Sequence, residues 1–217
     1  MAEEIPESYL DGVLALDVSP RTVPHASRAE VFTLGECVPV DGEGEDLRSR
    51  VVLYHGSFRA VAAQDPAFDW RFEAWETLTH ELRHHLEWRA HADHLERYDW
   101  AAEENFARQE GDPFDPLFFR AGEPVSPDVF RVEDDVFVDR VVRVAPAVMR
   151  FPWRGRTWEV DVPDGPLPLF LCVNRLPIPP AGDLIVVLRR RGRIRDLFRR
   201  PVPPRQARAV ARRAAGE

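Results

Sequence analysis

Two histidines and a glutamate in the segment His80-Glu81-Leu82-Arg83-His84 have the types and the spacing of a metal site. On a helix, residues four apart lie on the same face with their Cβ atoms about 5–6 Å apart, so both imidazoles can bind one ion. The glutamate after the first histidine would lie beside a water molecule on that ion. Two histidine ligands with a glutamate as general base are the arrangement of zinc hydrolases. We therefore predict Zn²⁺ as the cofactor, His80 and His84 as its ligands, and Glu81 as the catalytic base.

An amphipathic helix has to hold these three side chains, and the surrounding sequence predicts one. Residues 70–110 contain neither glycine nor proline. Apolar side chains recur there at steps of three and four residues, as in a helix that packs on one face: Phe72, Trp75, Leu78, Leu82 and Leu86. The two histidines and the glutamate fall beside this stripe, where a site at the floor of a cleft needs them. Asp69, or the pair Asp65-Pro66, supplies a start signal for the helix.

Length and composition favour a folded chain of one large or two small domains. The chain has 217 residues, of which 44% are hydrophobic, enough to build a core. Its two cysteines, Cys37 and Cys172, are far apart and predict neither a disulfide framework nor a cysteine-based zinc site. The residues after Met1 lack the apolar core of a signal peptide, and no apolar run approaches the ~18 residues of a membrane span. We therefore expect a cytoplasmic protein without a membrane partner.

Charge is distributed unevenly along the chain, which contains no lysine. Residues 1–139 hold 12 arginines against 31 acidic residues, whereas residues 140–217 hold 17 arginines against six. The final stretch, 191–217, is rich in arginine and interrupted by Pro201-Val202-Pro203-Pro204, so we expect it to be mostly disordered. Such a tail can bind nucleic acid, but Phe198 is its only aromatic residue for stacking on bases. We therefore expect a peptide or protein substrate rather than nucleic acid as the main partner.

A turn-rich segment, Asp112-Pro113-Phe114-Asp115-Pro116, is typical of a domain boundary. Before it, two strand-like segments precede the helix that carries the histidines. After it, short apolar and β-branched segments separated by turns predict strands at 135–144, 148–151, 157–162, 167–173 and 183–188. The predicted fold class is α+β, with a small α/β domain at 1–112, a small β-sandwich domain at 113–190 and a basic tail at 191–217.

Two motifs of the first half resemble those of the bacterial minimal zincin-like metallopeptidases. The segment Arg50-Val-Val-Leu-Tyr-His-Gly matches a strand of the form I/V-x-L-Y-x-G, and Thr77-Leu-Thr-His-Glu-Leu-Arg-His-His-Leu matches a helix with H-E-x-x-H-H-F-G. The resemblance covers about residues 5–110, and the matching residues are Tyr54, Gly56, His80, Glu81, His84 and His85. It implies a zincin-like α/β domain with the HExxH helix under a short sheet. The edge strand of that sheet would pair with an extended peptide substrate.

The chain departs from this family where the third metal ligand is expected. The family has a glycine three residues after the second histidine and an acid three residues further on, and those places hold Glu87 and Ala90. On an unbroken helix, His91 would lie about 10 Å beyond His84 along the axis, too far to bind the same ion. We therefore expect the chain to turn after about Trp88.

If this chain has a few residues inserted relative to the family, the acidic third ligand would lie slightly later in the sequence than in the family. Asp93 is the first choice for this role. Glu103 is an alternative because it gives the H-E-x-x-H-x18-E spacing of the glutamate zincins. The remaining candidates are His91, His94 and Glu96.

Residues 130–190 are weakly similar to the substrate-binding β-domain of the J-domain co-chaperones. In that family, a strand that ends in V-x-I-P-x-G precedes a strand that begins with G-D-L. The matching segments here are Trp153-Arg-Gly-Arg-Thr-Trp-Glu-Val-Asp-Val-Pro-Asp-Gly and Gly182-Asp183-Leu-Ile-Val-Val-Leu. The likeness implies a domain that binds polypeptide, and a generic β-sandwich is the alternative.

These patterns favour a zinc-dependent peptidase in which Glu81 takes a proton from the water that attacks the peptide bond. Tyr54 or His55, at the end of the strand beside the helix, would position the substrate or the developing oxyanion. The alternative is a non-catalytic polypeptide-binding or interaction module with a structural or vestigial metal site. A glutamine in place of Glu81 distinguishes the two, because only the peptidase needs the carboxylate.

Overall fold

The computed structural model describes residues 4–25, 30–191 and 202–214, and it contains both helices and sheets. The predicted mixed α+β class is therefore confirmed. The chain divides into two compact units, Met1–Glu96 and Arg97–Glu217, so the first is shorter than the domain predicted at 1–112. None of the described helices is long and apolar enough to cross a membrane.

The first unit contains a three-stranded sheet and the helix that carries the two histidines. Its elements are β1 (Val13–Ser19), β2 (Gly35–Asp41), β3 (Arg48–Tyr54), α1 (His55–Gln64) and α2 (Trp70–Arg89), and α3 (His94–Glu110) begins in it. β3 is the central strand, parallel to β1 and antiparallel to β2. Ser49 and Val51 of β3 are buried while Arg48 and Arg50 are exposed, which is the alternation of a strand covered on one face.

Helix α2 packs on this sheet and begins where the sequence predicts. Leu78 and Leu82 of the predicted apolar stripe share a buried cluster with residues outside the helix: Ile5, Cys37 and Val51. The side chain of Asp69 accepts hydrogen bonds from the backbone N–H groups of Arg71 at 3.0 Å and Phe72 at 3.1 Å. Asp69 is therefore the N-cap of α2, and it satisfies two of the N–H groups that the first turn leaves without helical partners.

Helix α2 ends in a turn that takes the chain off the helix axis. The backbone N–H of His91 donates to the carbonyl of Trp88 at 3.1 Å, and that of Ala92 donates to the carbonyl of Glu87 at 2.8 Å. His91 has a left-handed backbone, with φ of 51°. This combination is a Schellman motif, with histidine at the position that glycine usually takes. The expected turn after Trp88 is therefore present, and α3 begins at His94.

The second unit contains two sheets that share one core. Its strands are β4 (Glu123–Ser126), β5 (Val129–Val132), β6 (Asp135–Val141), β7 (Val148–Trp153), β8 (Arg156–Asp161), β9 (Leu169–Asn174), β10 (Leu184–Arg189), β11 (Arg205–Val210) and β12 (Arg212–Arg213). One sheet has the order β11-β9-β10-β6-β5-β4 and the other the order β12-β8-β7. Val138, Leu171 and Val186 of the larger sheet are buried together with Phe151 and Val160 of the smaller one. The five strands predicted between residues 135 and 188 correspond to β6–β10.

Helix α3 is anchored in the second unit by a buried aspartate. Asp135 accepts hydrogen bonds through Oδ2 from the side chains of Asn105 at 3.0 Å, Arg108 at 2.7 Å and Gln109 at 3.0 Å. Its Oδ1 accepts from the backbone N–H of Asp183 at 2.7 Å. The Arg108–Asp135 ion pair is almost fully buried, so these bonds are protected from competing water. They explain why most of α3 belongs to the second unit rather than to the first.

Part of the segment predicted to be a disordered tail is structured, so that prediction is wrong for residues 205–213. β11 pairs in parallel with β9, and β12 pairs antiparallel with β8. Ala207 and Ala209 pack against the core between the two sheets. Small apolar residues alternate with polar ones along β11, and this period of two is a strand pattern that the arginine content conceals. Residues 192–201 of the predicted tail lie outside the described residues.

Ion pairs neutralise one of the tail arginines. Arg212 donates hydrogen bonds to the carboxylates of Glu159 and Asp161, which lie on β8. These bonds hold the pKa of the Asp161 carboxyl below its usual value. Arg205 donates to the backbone carbonyl of Asp164 at 2.8 Å. At these two positions the arginines support the fold of the second unit.

Candidate metal centre

Helix α2 places the HExxH side chains together. The ring centroids of His80 and His84 are 4.9 Å apart, and the two ring planes are inclined by 82°. Both imidazoles are partly exposed, whereas Glu81 is only 9% exposed. The two imidazoles therefore lie side by side on one face of the helix, and the glutamate between them in sequence is buried.

The expected third ligand, Asp93, is exposed and directly precedes α3. Within the first unit, the structure brings two of the predicted ligands, His80 and His84, side by side on α2. The role of Asp93 as the third ligand remains a prediction.

The other candidates for the third ligand also follow the end of α2. His91 has the left-handed backbone conformation just after α2 and is exposed, and His94 is the exposed first residue of α3. Glu96 accepts a hydrogen bond from the indole N–H of Trp88. Glu103 lies further along α3 and is exposed.

The donor types of the predicted ligands fit zinc. Two imidazole nitrogens and one carboxylate oxygen are a common protein ligand set of catalytic zinc sites, which keep the fourth position for water or substrate. Pairs of histidines also come this close on protein surfaces that hold no ion. A catalytic site of this type needs a base beside the ligands, and Glu81 supplies a carboxylate at that place. Histidines that were only surface residues would not need a buried carboxylate next to them.

A glycine on the edge strand β2 makes room for Glu81. A Cβ atom added to Gly35 would lie 3.0 Å from Cγ and 3.3 Å from Oε1 of Glu81, and 2.6 Å from Cγ2 of Thr77. Contacts this short are rarely tolerated in proteins, so any other residue would push Thr77 or Glu81 away. The carboxylate of Glu81 therefore lies against the backbone of β2, at the end of the strand where the pairing with β3 begins.

Tyr54 and His55 were expected to position substrate, and the structure shows what each contacts. The hydroxyl of Tyr54 donates to Oε2 of Glu36 at 2.6 Å, and this bond raises the pKa of the Tyr54 phenol. Glu36 belongs to β2, so the bond ties the end of β3 to the edge strand. The ring of His55, the first residue of α1, lies 5.8 Å from the ring of Trp70. Both residues thus have structural contacts, and their expected role in positioning substrate remains a prediction.

The buried His85 connects α2 to two other segments of the first unit. His85 is fully buried, and its Nε2 lies 2.8 Å from the carbonyl oxygen of Asp11. Because a carbonyl oxygen can only accept, Nε2 donates to Asp11, and Nδ1 forms a hydrogen bond with the hydroxyl of Ser49 at 2.7 Å. Cys37 lies in the same region as a buried thiol, and burial raises its pKa. These bonds set the rotation of α2 about its axis, which decides the face that the other two histidines occupy.

The second unit has a separate concave surface of mixed character. A cavity of about 560 Å³ is lined by apolar side chains, among them Val129, Val136 and Trp153, and by three arginines. The guanidinium group of Arg154, one of the three, lies over the Trp153 ring at 5.4 Å. The indole N–H of Trp153 donates to the carbonyl of Ile178 at 2.8 Å, which fixes the ring. The surface could take an apolar ligand that carries negative charge.

Comparisons with known proteins add little to this geometry. No protein-family model matches the chain, and no curated protein matches it significantly. A solved structure that is similar to part of it is a conserved hypothetical protein from Thermus thermophilus. It is 41% identical, and the match covers 40% of this chain and 83% of that protein with a TM-score of 0.35. At that TM-score, the likeness establishes neither a fold nor a function.

Proposed function

We propose that the chain is a zinc-dependent peptidase of the zincin-like type. His80 and His84 hold the ion together with an acidic third ligand, for which Asp93 is the first choice, and Glu81 is the general base. The observation that carries the proposal is the pair of imidazoles on α2, whose ring centroids are 4.9 Å apart, on the same helix as the buried Glu81. The resemblance of the strand and helix motifs to the minimal zincin-like metallopeptidases points to the same chemistry.

Zinc supplies two effects when it is bound in such a site: it polarises a carbonyl group and lowers the pKa of water. The remaining steps belong to the protein. Glu81 takes the proton of the attacking water and gives it to the nitrogen of the leaving amine. Its burial against Gly35 keeps the carboxylate in one place, so the proton moves over a short and constant path.

The edge strand β2 is the place where an extended peptide would bind. The backbone N–H of Tyr54 donates to the carbonyl of Leu34 at 2.7 Å, and the antiparallel register then directs the backbone of Glu36 and Val38 towards β3. The backbone groups of Gly35 and Cys37 therefore face away from β3. A substrate strand that pairs with them lies beside Glu81, which touches Gly35.

The metal content of untagged protein, purified without chelator, tests the proposed ligands. We expect about one zinc per wild-type chain, and loss of zinc in His84→Ala and in Asp93→Ala. Glu76→Ala is the matched control, because it removes an exposed carboxylate of the same helix that is not a proposed ligand. A wild-type chain that binds no zinc, even after zinc is added back, would refute the proposal. Zinc retained in Asp93→Ala would exclude Asp93 as the third ligand.

Exchange of Glu81 for glutamine tests the proposed base. Glutamine is nearly isosteric but takes up no proton, so we expect Glu81→Gln to keep zinc and to cleave peptides about 10²- to 10⁴-fold more slowly. The cleavage of a mixed peptide library, followed by mass spectrometry, measures wild type and variant without knowledge of the specificity. Undiminished cleavage by the variant would rule out this role.

We further propose a cytoplasmic setting with peptide or protein as substrate. The thiols of Cys37 and Cys172 are both free, which suits a reducing compartment. The substrate class follows from the edge strand, because backbone pairing along β2 requires an extended polypeptide.

A polypeptide-binding module is the second candidate function. The cavity of about 560 Å³ in the second unit supports it, because its apolar wall and arginines suit an acidic peptide with apolar side chains. Fluorescence of Trp153 during titration with such peptides tests the idea. We expect a change that is absent in Trp153→Ala, whereas equal responses in both proteins would exclude the cavity as the binding site.

A further inference from the structure

We propose that His85 and Arg89 are positioning residues of the peptidase. They hold α2 across the sheet of the first unit, so that the metal ligands and the base on α2 stay beside the edge strand β2, where the substrate pairs. This role rests on the proposed function and belongs to two residues outside the proposed ligands and base. Every contact that carries it lies within the first unit.

The proposed site is divided between two elements. His80, Glu81 and His84 belong to α2, whereas the peptide would pair with the backbone of β2. A shift of α2 moves the two histidines and the glutamate together, but it changes their distance from the substrate. Catalysis therefore needs a fixed position of α2 on the sheet, because a misplacement of about 1 Å can slow a reaction ~10²-fold.

Polar side chains on one face of α2 contact the strands of the sheet in turn. Glu81, His85 and Arg89 are each four residues apart, so they lie on the same side of the helix. Glu81 lies against Gly35, the first residue of β2, and His85 is bonded to Ser49 of β3 at 2.7 Å. Arg89 is bonded to the segment directly before β1. Because the strand order is β1-β3-β2, these contacts fix where α2 crosses the sheet.

Asp11 is the common attachment point of His85 and Arg89. Its carbonyl oxygen accepts a hydrogen bond from Nε2 of His85 at 2.8 Å and another from the guanidinium group of Arg89. Its carboxylate accepts a further hydrogen bond from Arg89 at 2.9 Å. Because His85 is fully buried, water competes weakly for its bonds. Two side chains of α2 are thus tied to one place at the beginning of β1.

Gly12 leaves the space that both side chains need. It has a left-handed backbone, with φ of 85°. A Cβ atom added there would lie 3.2 Å from both Nη1 of Arg89 and Cε1 of His85, and 2.6 Å from the carbonyl oxygen of Leu47. The backbone N–H of Ser49 donates to the carbonyl of Gly12 at 3.1 Å, which connects this place to β3. The attachment of α2 therefore depends on a close approach of its side chains to residue 12.

The kinetics of a library peptide that the wild type cleaves, measured with the full chain at saturating zinc, test this role. We expect His85→Phe to lower kcat roughly 10²-fold and to leave KM close to the wild-type value, because β2 still pairs with the substrate. Zinc affinity, measured by competition with a chromophoric chelator, should stay unchanged, since both histidine ligands move with α2. His85→Gln should recover most of kcat, because its amide N–H can donate to the carbonyl of Asp11.

Arg89→Ala gives the answer if His85→Phe does not fold. We expect the same result, a lower kcat with unchanged zinc affinity, because this variant removes the bonds to the carbonyl and the carboxylate of Asp11. Arg71→Ala is the matched control, since it removes an exposed arginine of the same helix whose ion pair with Glu4 is also exposed. Its kcat should equal that of the wild type.

The outcomes separate this role from the proposed function. A wild-type chain that cleaves peptides, with kcat unchanged in both His85→Phe and Arg89→Ala, would overturn the positioning role alone. Loss of zinc along with activity in these variants would also overturn it, because the effect would then act on the metal rather than on the position of α2. A wild-type chain that binds zinc but cleaves no peptide would overturn the proposed function, and this role with it.

Discussion

At the scale of single residues, the position of Glu81 depends on the absence of a side chain at residue 35. The carboxylate lies against the backbone of Gly35, and a neighbouring methyl group of Thr77 closes the other side. A search for chemical groups in the sequence finds Glu81 but not Gly35, because the role of the glycine appears only when β2 and α2 are packed together. The HExxH residues are close together in the sequence, whereas the space that Glu81 needs is provided by Gly35, a residue far from it in the sequence.

We expect Gly35→Ala to disturb the site through overpacking. The added methyl group would meet Thr77 and Glu81 at the short distances given above, so the variant should lose about 1–3 kcal/mol in the free energy of unfolding. It should also cleave peptides more slowly with zinc still bound. Urea unfolding and metal content measure the two effects, with Val40→Ala, at an exposed position of the same strand, as the control. Wild-type stability and rate in Gly35→Ala would contradict the close contact.

The hydrogen bond between Tyr54 and Glu36 should appear in the pH dependence of stability. Because it raises the pKa of the Tyr54 phenol above that of the unfolded chain, the bond stabilises the folded protein below pH ~10. This contribution is lost as the pH rises through the folded-state pKa. We therefore expect Tyr54→Phe to be less stable than the wild type at about pH 8, with a difference that shrinks above pH ~10. Urea unfolding across this range measures it, and a difference independent of pH would argue against the bond.

At the scale of the elements, α2 and the strands with regular patterns could be predicted from the sequence, and the start of α3 could not. The apolar stripe and the Asp69 cap define α2, and the strands between residues 135 and 188 follow from short apolar segments between turns. The turn after α2 contains no glycine or proline, because His91 takes the left-handed position. A sequence without these residues gives no sign of where one helix ends and the next begins, so the candidates for the third ligand could not be narrowed to one residue.

The anchoring of α3 by Asp135 should be measurable as a large loss of stability. Asp135→Ala leaves the buried guanidinium group of Arg108 without its partner, a change that typically costs about 3–5 kcal/mol. Thermal and urea unfolding measure the effect. The neighbouring exposed Asp134→Ala is the control and should stay within about 0.5 kcal/mol of the wild type. Equal stability of the two variants would mean that the buried network contributes little.

At the scale of the whole molecule, zinc binding and folding should be linked, because His80 and His84 lie side by side only when α2 is folded. We expect zinc at about 100 times its dissociation constant to add about 2.7 kcal/mol to the free energy of unfolding. For a chain of this size that corresponds to a rise in Tm of roughly 5–10 °C. Differential scanning calorimetry with and without zinc measures it, and the same addition to His84→Ala should leave Tm unchanged. A rise of the same size in that variant would place the binding elsewhere.

The strands β11 and β12 have a consequence for the order of events during synthesis. β9 is an edge strand of the larger sheet until β11 pairs with it. β8 is likewise an edge strand of the smaller sheet until β12, which follows β11 in the chain, pairs with it. Both sheets therefore keep open hydrogen-bonding edges while the ribosome adds residues 175–204, which separate β9 from β11. Open strand edges attract other chains. A nascent chain stalled in this interval should need protection by a chaperone, although every side chain of HExxH has already been made.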